Sequence, residues 1–225
     1  MDDGNDDRWA GASGEDALLS EPVREFAQVR ARRTYERLIR AAGKLFDERG
    51  FDATQTPDIA ASAGLSVGTF YRYFPDKQAI YVEVMRRDIA EAYHAIIDGL
   101  TPERFVGKGR RSATEEAIAL LLAHVTRTPR RQRVFLEMAL RDPQVAALRD
   151  VYDDAARKRL TGLIAAVSAR ADVPDPEATA HIVYTTVMEC ARHIAGIHGP
   201  FPLERERAMA ALTALVLRTL FPPES

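Results

Sequence analysis

The stretch from Thr54 to Lys77, TQTPDIAASAGLSVGTFYRYFPDK, leaves this chain few ways to fold. Thr56 is placed to cap a helix, with Pro57 at its first position, where a missing N–H costs nothing. Ile59, Ala60 and Ala63 then recur on one helical face, and Gly64 stands where the chain must leave the helix through positive φ. Ser66 can cap the next segment, Val67 to Phe74, in which Phe70 and Phe74 share a face. Val67, Gly68, Thr69, Tyr71, Arg72 and Tyr73 are left outward or flanking. Two short helices about a glycine turn, one polar outside and aromatic inside, form the layout of a helix-turn-helix whose second helix enters a major groove.

The outward residues carry more information than the turn. A short hydroxyl, aromatic hydroxyls and one guanidinium suit phosphate oxygens and base edges, and Gly68 permits close backbone approach. Three motifs then carry a family likeness: G-F-x-A-T at Gly50 to Thr54, I-A-x-x-A-G at Ile59 to Gly64, and L-S-x-G-T-F-Y-x-Y-F-x-x-K at Leu65 to Lys77. Together they resemble the TetR family of transcriptional regulators, and the likeness covers about Tyr35 to Tyr81. The resemblance implies that Val67, Gly68 and Thr69 read base edges. It makes Tyr71 and Tyr73 phosphate contacts, with Tyr71 also near a base, and Arg72 a further base reader. Lys77 becomes a backbone clamp and Thr56 a phosphate-contacting cap. Gln55 stands where the family often has a second Thr or Ser, and Thr56 where many members have an aliphatic residue.

Around this centre the hydrophobic periodicity is helical throughout, and the expected fold class is all-α. Tyr35, Leu38, Ile39, Ala42, Leu45 and Phe46 repeat at three- and four-residue spacing; Thr34 is a candidate cap, with an earlier start to the helix as the alternative. Gly50 ends that helix, and a Schellman ending there would bring Phe51 back onto Phe46. Asp76 can cap a long helix reaching about Leu100, with Lys77 in its first turn. A solvated lysine is the plain reading of Lys77; the resemblance makes it a phosphate contact. Thr101 to Arg111, with Pro102, Gly107 and Gly109, reads as a loop and hinge. Further helices are expected over 113–127, 130–141, from Pro143 after a capping Asp142 to about Arg170, and over about 177–198 and 203–220.

The expected division is an acidic, disordered tail over 1–22, a helix-turn-helix domain over 23–78, and a larger domain over 79–225 for effector binding and dimerisation. The formal charge of −2 over 225 residues conceals the reason. Acids dominate up to Glu21. From Arg24 to Lys44 the balance reverses, with Arg24, Arg30, Arg32, Arg33, Arg37, Arg40 and Lys44 against Glu25 and Glu36. The arginines of 24–33 are either a solvated face or an arm along DNA backbone or minor groove. A single cysteine, Cys190, excludes an intramolecular disulfide framework, and no apolar run reaches membrane-spanning length. A cytoplasmic protein with no membrane partner is expected.

The last two helices are apolar on more than one side. Ile182, Val183, Tyr184, Val187, Met188, Cys190, Ala191, Ile194, Ala195 and Ile197 surround the helix axis, and Leu203 to Leu220 adds small alanines beside Met209, Leu212, Leu215, Val216 and Leu220. Such helices are either buried inside a monomer or paired with their copies in a two-fold, four-helix interface. The resemblance implies the homodimer. Tyr93, Phe105, Phe135, Met138, Tyr152, Tyr184, Met188, Glu189 and His193 form a mixed set that either packs a core or lines an effector pocket. Glu189 and His193 are four residues apart, which is too few ligands for a metal site. No metal, no cofactor and no catalytic constellation is expected: there is no H-E-x-x-H, phosphate-cradling glycine loop or nucleophile elbow. The expected function is therefore a DNA-binding regulator, a repressor of a palindromic operator on double-stranded DNA released by a small-molecule effector. An activator of the same kind is the alternative, and a nonspecific DNA-binding protein would need a more basic chain.

Overall fold

The computed structural model describes residues 29–107, 109–168 and 172–221, and all regular structure among them is helical. The acidic tail and the arginine-bearing residues before Val29 lie outside the described residues. Helix α1 runs over Val29–Arg49, α2 over Thr56–Ser62, α3 over Val67–Tyr73 and α4 over Lys77–Ala92. A π-helical turn, Tyr93–Ile97, and a 3₁₀ turn, Pro102–Phe105, precede α5 (Gly109–Arg127), α6 (Pro129–Ala139), α7 (Pro143–Val167), α8 (Pro176–Ile194) and α9 (Arg205–Leu220).

The described residues form two compact units. The first comprises the described residues up to Ala90 together with Arg130–Val151; the second comprises the described residues of 91–129 and those from Tyr152 onward. This division does not follow the expected boundary at 78/79. The chain returns to the first unit through α6, where Arg131 pairs with Asp47 at 2.5 Å and Asp88 at 3.1 Å. Arg130 also donates to the Glu48 carbonyl. The 101–111 segment, expected as a hinge, lies within the second unit and is partly helical.

In the first unit, α1 buries Leu38, Ala42 and Phe46 almost completely, and α4 contributes Ile80, Tyr81 and Met85 to that core. Gly50 ends α1 with φ 82°, a conformation that glycine adopts without a Cβ clash. Phe51 then lies against Phe46, with ring centroids 5.9 Å apart, and both rings meet Tyr81 edge-on. Thr34 caps nothing, because α1 already extends back to Val29; its hydroxyl donates to the Arg30 carbonyl inside the helix.

In the second unit, α5 packs against α8 and α9 around Ile118, Ile164, Val183, Leu212 and Val216. Asp175 caps α8 by accepting from the Ala178 N–H at 3.0 Å, and Pro176 follows at the first helical position. The chain expected to stay α-helical to about Leu100 changes at Tyr93 to a π turn, closed by Asp98 N–H to Tyr93 carbonyl at 3.3 Å.

Candidate nucleic-acid interface

The geometry of α2 and α3 is set by local caps and by residues outside both helices. At the start of α2 the cap is Gln55, not Thr56: Gln55 and Asp58 form a reciprocal capping box, and the Gln55 N–H meets Asp58 Oδ2 at 3.3 Å. Thr56 is already the first helical residue, which moves Pro57 to the second position and frees the Thr56 hydroxyl. That hydroxyl lies 3.1 Å from the Tyr71 hydroxyl on α3. The turn follows at Gly64, with φ 63°. Arg37 of α1 donates to the carbonyls of Ala63 and Gly64, supplying the partners that the end of α2 lacks. Ser66 caps α3 by accepting from the Thr69 N–H at 3.2 Å, and its Oγ also lies 2.9 Å from the Thr69 hydroxyl.

Phe70 and Phe74 face inward, at 0 % and 4 % exposure, and Phe74 stacks on Tyr35 of α1 with centroids 5.1 Å apart. The opposite face is open. Val67 is 38 % and Tyr71 53 % exposed, Gly68 and Arg72 are exposed, and Thr69 and Tyr73 are half-buried. Arg72 makes no hydrogen bond or ion pair among the described residues, so its guanidinium is available to an outside acceptor. Tyr73 leans back toward Tyr35, with ring centroids 6.2 Å apart. Of the residues singled out in the sequence, Thr56 opens α2, Val67, Gly68, Thr69, Tyr71, Arg72 and Tyr73 lie on α3, and Lys77 opens α4.

Lys77 is not merely a solvated side chain. Its ammonium donates to the Phe51 carbonyl at 2.8 Å and lies over the Phe51 ring, and burial lowers its pKa from the usual lysine value. Asp76, just before α4, accepts from the Ala79 N–H at 2.7 Å and caps that helix. Arg37, which the periodicity did not single out, holds the turn from 26 residues away, and such reach leaves no spacing signature in the sequence.

A cavity lies within the second unit, with about 730 Å³ of empty space counting its open mouth. Phe105, Tyr152, Tyr184 and Met188 line it, beside aliphatic residues including Ile96, Leu121, Leu160 and Val187. Tyr93, Glu189 and His193 do not line it, and Phe135 and Met138 belong to the first unit. Tyr93 instead packs edge-on against Tyr152, with centroids 6.3 Å apart. The Tyr184 hydroxyl donates to Asp153 at 2.6 Å. Burial raises the pKa of both Tyr152 and Tyr184, so both hydroxyls stay protonated. The lining contains no charged side chain. Among the described residues no helix is long and apolar enough to cross a membrane.

An all-α chain with a glycine-turned helix pair and an exposed polar face on the second helix is a helix-turn-helix protein. Residues 38–84 match the model of bacterial regulatory proteins of the tetR family, so the helix-turn-helix segment is of the TetR type. It is 29 % identical over 124 residues to the transcriptional regulator UidR of Escherichia coli K12, covering 54 % of this chain and 59 % of UidR. It is likewise 29 % identical over 135 residues to the transcriptional repressor KstR of Rhodococcus jostii RHA1, covering 59 % of this chain and 54 % of KstR. The chain thus spans about half the length of the curated relatives it matches. Its fold is similar to that of a regulator assigned to the TetR family from Mesorhizobium loti, with a TM-score of 0.70, 21 % identity, and coverage of 86 % of this chain and 98 % of that one. Salmonella enterica GusR gives a TM-score of 0.63 at 21 % identity, covering 90 % of this chain and 98 % of GusR.

Proposed function

We propose that this chain is a sequence-specific, DNA-binding transcriptional regulator that binds a palindromic operator as a homodimer and is released by a small apolar effector. The observation that carries the reading is the open face of α3 above the buried Phe70 and Phe74. On this reading Val67, Gly68 and Thr69 meet base edges, with Arg72 reaching a further base. Tyr71 and Thr56 share a phosphate, while Tyr73 and Lys77 approach the backbone. Repression is favoured over activation by the likeness to KstR, whose name describes a repressor.

Dimerisation through α8 and α9 is supported by apolar side chains the unit leaves open: Ile182 is 64 % and Leu215 51 % exposed. Two copies would set two α3 helices one DNA turn apart, about 34–36 Å, or a multiple of it. The effector reading rests on the cavity. A charged ligand group placed there would lose its hydration with no counter-charge on the lining, at a cost of several kcal/mol. The effector class is accordingly neutral and largely hydrocarbon. It acts by binding the DNA-released arrangement more tightly, since only differential affinity shifts a population. On this reading the protein is a non-enzymatic binding protein that works with DNA in the cytoplasm.

Selecting genomic fragments on the purified chain tests the core of this reading. One enriched inverted repeat is expected, and Val67→Ala or Thr69→Ala should change the preferred base at one position per half-site. Retention of all fragments alike, or a uniform loss across a randomised operator library, would overturn sequence-specific reading by α3.

A further inference from the structure

We propose that Glu189, His193 and His198 form a binding site for one divalent transition-metal ion of the zinc class, separate from both the cavity and α3. Glu189 and His193 lie one turn apart near the end of α8. The chain leaves that helix through Gly196 at φ 72°, a left-handed conformation suited to glycine, and this turn brings His198 back beside Glu189. His198 Nε2 stands 2.8 Å from Glu189 Oε1, and the two imidazole rings have centroids 4.5 Å apart. One donor atom from each residue lies within 4.8 Å of the other two.

The surroundings favour a ligand set. Arg192 holds the other Glu189 oxygen, Oε2, at 3.2 Å and leaves Oε1 facing the histidines. His193 Nδ1 lies 3.1 Å from the Glu189 carbonyl and 3.7 Å from Glu189 Oε1, so its ring stands beside the same carboxylate oxygen that His198 meets. A tetrahedral ion with bonds of about 2.0–2.1 Å needs its ligand atoms about 3.4 Å apart. Side chains that are 54 % and 38 % exposed at His193 and His198 can close that difference by rotation and can be reached from solvent. Two imidazoles and one carboxylate select zinc-class ions over calcium or magnesium, which prefer all-oxygen shells. Three protein ligands leave a coordination position for water or a donor from another molecule. The bound ion would tie the end of α8 to the turn that follows it.

The probe is Zn²⁺ alone, titrated calorimetrically into the chelator-stripped full chain, with thermal unfolding followed in parallel. One equivalent per chain and a raised unfolding midpoint are expected, because an ion that binds only the folded state stabilises it. His198→Ala and Glu189→Gln should weaken binding about tenfold or more and remove the thermal shift. His193→Asn and His198→Asn, which keep polar side chains of similar size, should do the same with unchanged helicity. His94→Ala, which removes a ring paired with Asp98 at 2.8 Å, should leave both readouts unchanged. The absence of saturable uptake would overturn the proposal and leave the cluster a plain hydrogen-bonded group. Uptake that survives His193→Asn and His198→Asn, or that is lost with His94→Ala, would overturn it as well.

Discussion

The Lys77 ammonium donates to the Phe51 carbonyl at 2.8 Å and stands 4.3 Å from the centre of the ring of that same residue. A residue whose motif position marks it for DNA thus also closes the loop between α1 and α2. Lys77→Ala should lower the free energy of unfolding by about 1–3 kcal/mol, the usual range for a hydrogen bond from a charged donor. If the same ammonium also meets a phosphate, the slope of log affinity against log salt should become shallower by about 0.9, alike on every DNA sequence. Urea unfolding and a salt titration separate the two roles, and an unchanged slope would leave Lys77 purely structural.

Arg37 donates to the two carbonyls that end α2, at Ala63 and Gly64. Arg37→Ala leaves these groups to water or to nothing, and should cost about 1–3 kcal/mol in chemical denaturation. Because the cost falls on the turn, specific DNA affinity should fall further than overall stability alone explains. Both bonds leave one guanidinium nitrogen, Nη2, so Arg37→Lys should recover part of the loss to the extent that the shorter side chain brings its ammonium to the same two carbonyls.

Glu36 accepts two hydrogen bonds from Arg87, at 2.7 and 3.0 Å, and Arg87 also binds Glu83. The Arg87 hydrogen bonds hold the Glu36 pKa below its ordinary value of 4.5, against the opposing effect of burial. A carboxylate whose pKa is lower folded than unfolded stabilises fully above its unfolded value and loses that contribution as pH falls through the folded one. Glu36→Gln should therefore destabilise the chain at neutral pH by about 1–2 kcal/mol. The gap from the wild-type chain should narrow below about pH 4.5, which thermal unfolding across pH would record. A gap independent of pH would assign the loss to shape and not to charge.

Ile182 on α8 and Leu215 on α9 are large apolar side chains left more than half exposed. Ile182→Arg with Leu215→Arg should lower the mass in solution to that of one chain while leaving helicity unchanged, because the altered side chains lie outside the unit's own core. A mass of one chain in the unaltered protein would remove the two-fold proposal. A mass unchanged by the double substitution would move the interface elsewhere.

Local chemistry made much of the fold legible. Gly50 and Gly64 announce positive φ, Ser66 and Asp76 announce caps, and Phe70 with Phe74 announces an inner face, because each signal depends on neighbours within a few residues. Gln55 was hidden by Thr56, the better cap by type, until the reciprocal bond with Asp58 decided between them. The pocket residues were only half legible. Phe105, Tyr152, Tyr184 and Met188 share the cavity, whereas Phe135 and Met138 have the same apolar character but sit in the other unit. Apolar character marks what is buried and says nothing about which core receives it. His198 was invisible beside Glu189 and His193 because a turn at Gly196, not a helical repeat, brings it there.

The end of α2 is held by a side chain from α1, and this limits how the reading helices could be transplanted. A peptide covering only Thr54 to Lys77 would lack Arg37 at the turn, Tyr35 beneath Phe74 and the Phe51 carbonyl under Lys77. Even the matched span, 38–84, begins one position too late to include Arg37. A graft meant to carry this helix pair into another scaffold would have to start at or before Tyr35, with the rest of α1 supplied as its foundation.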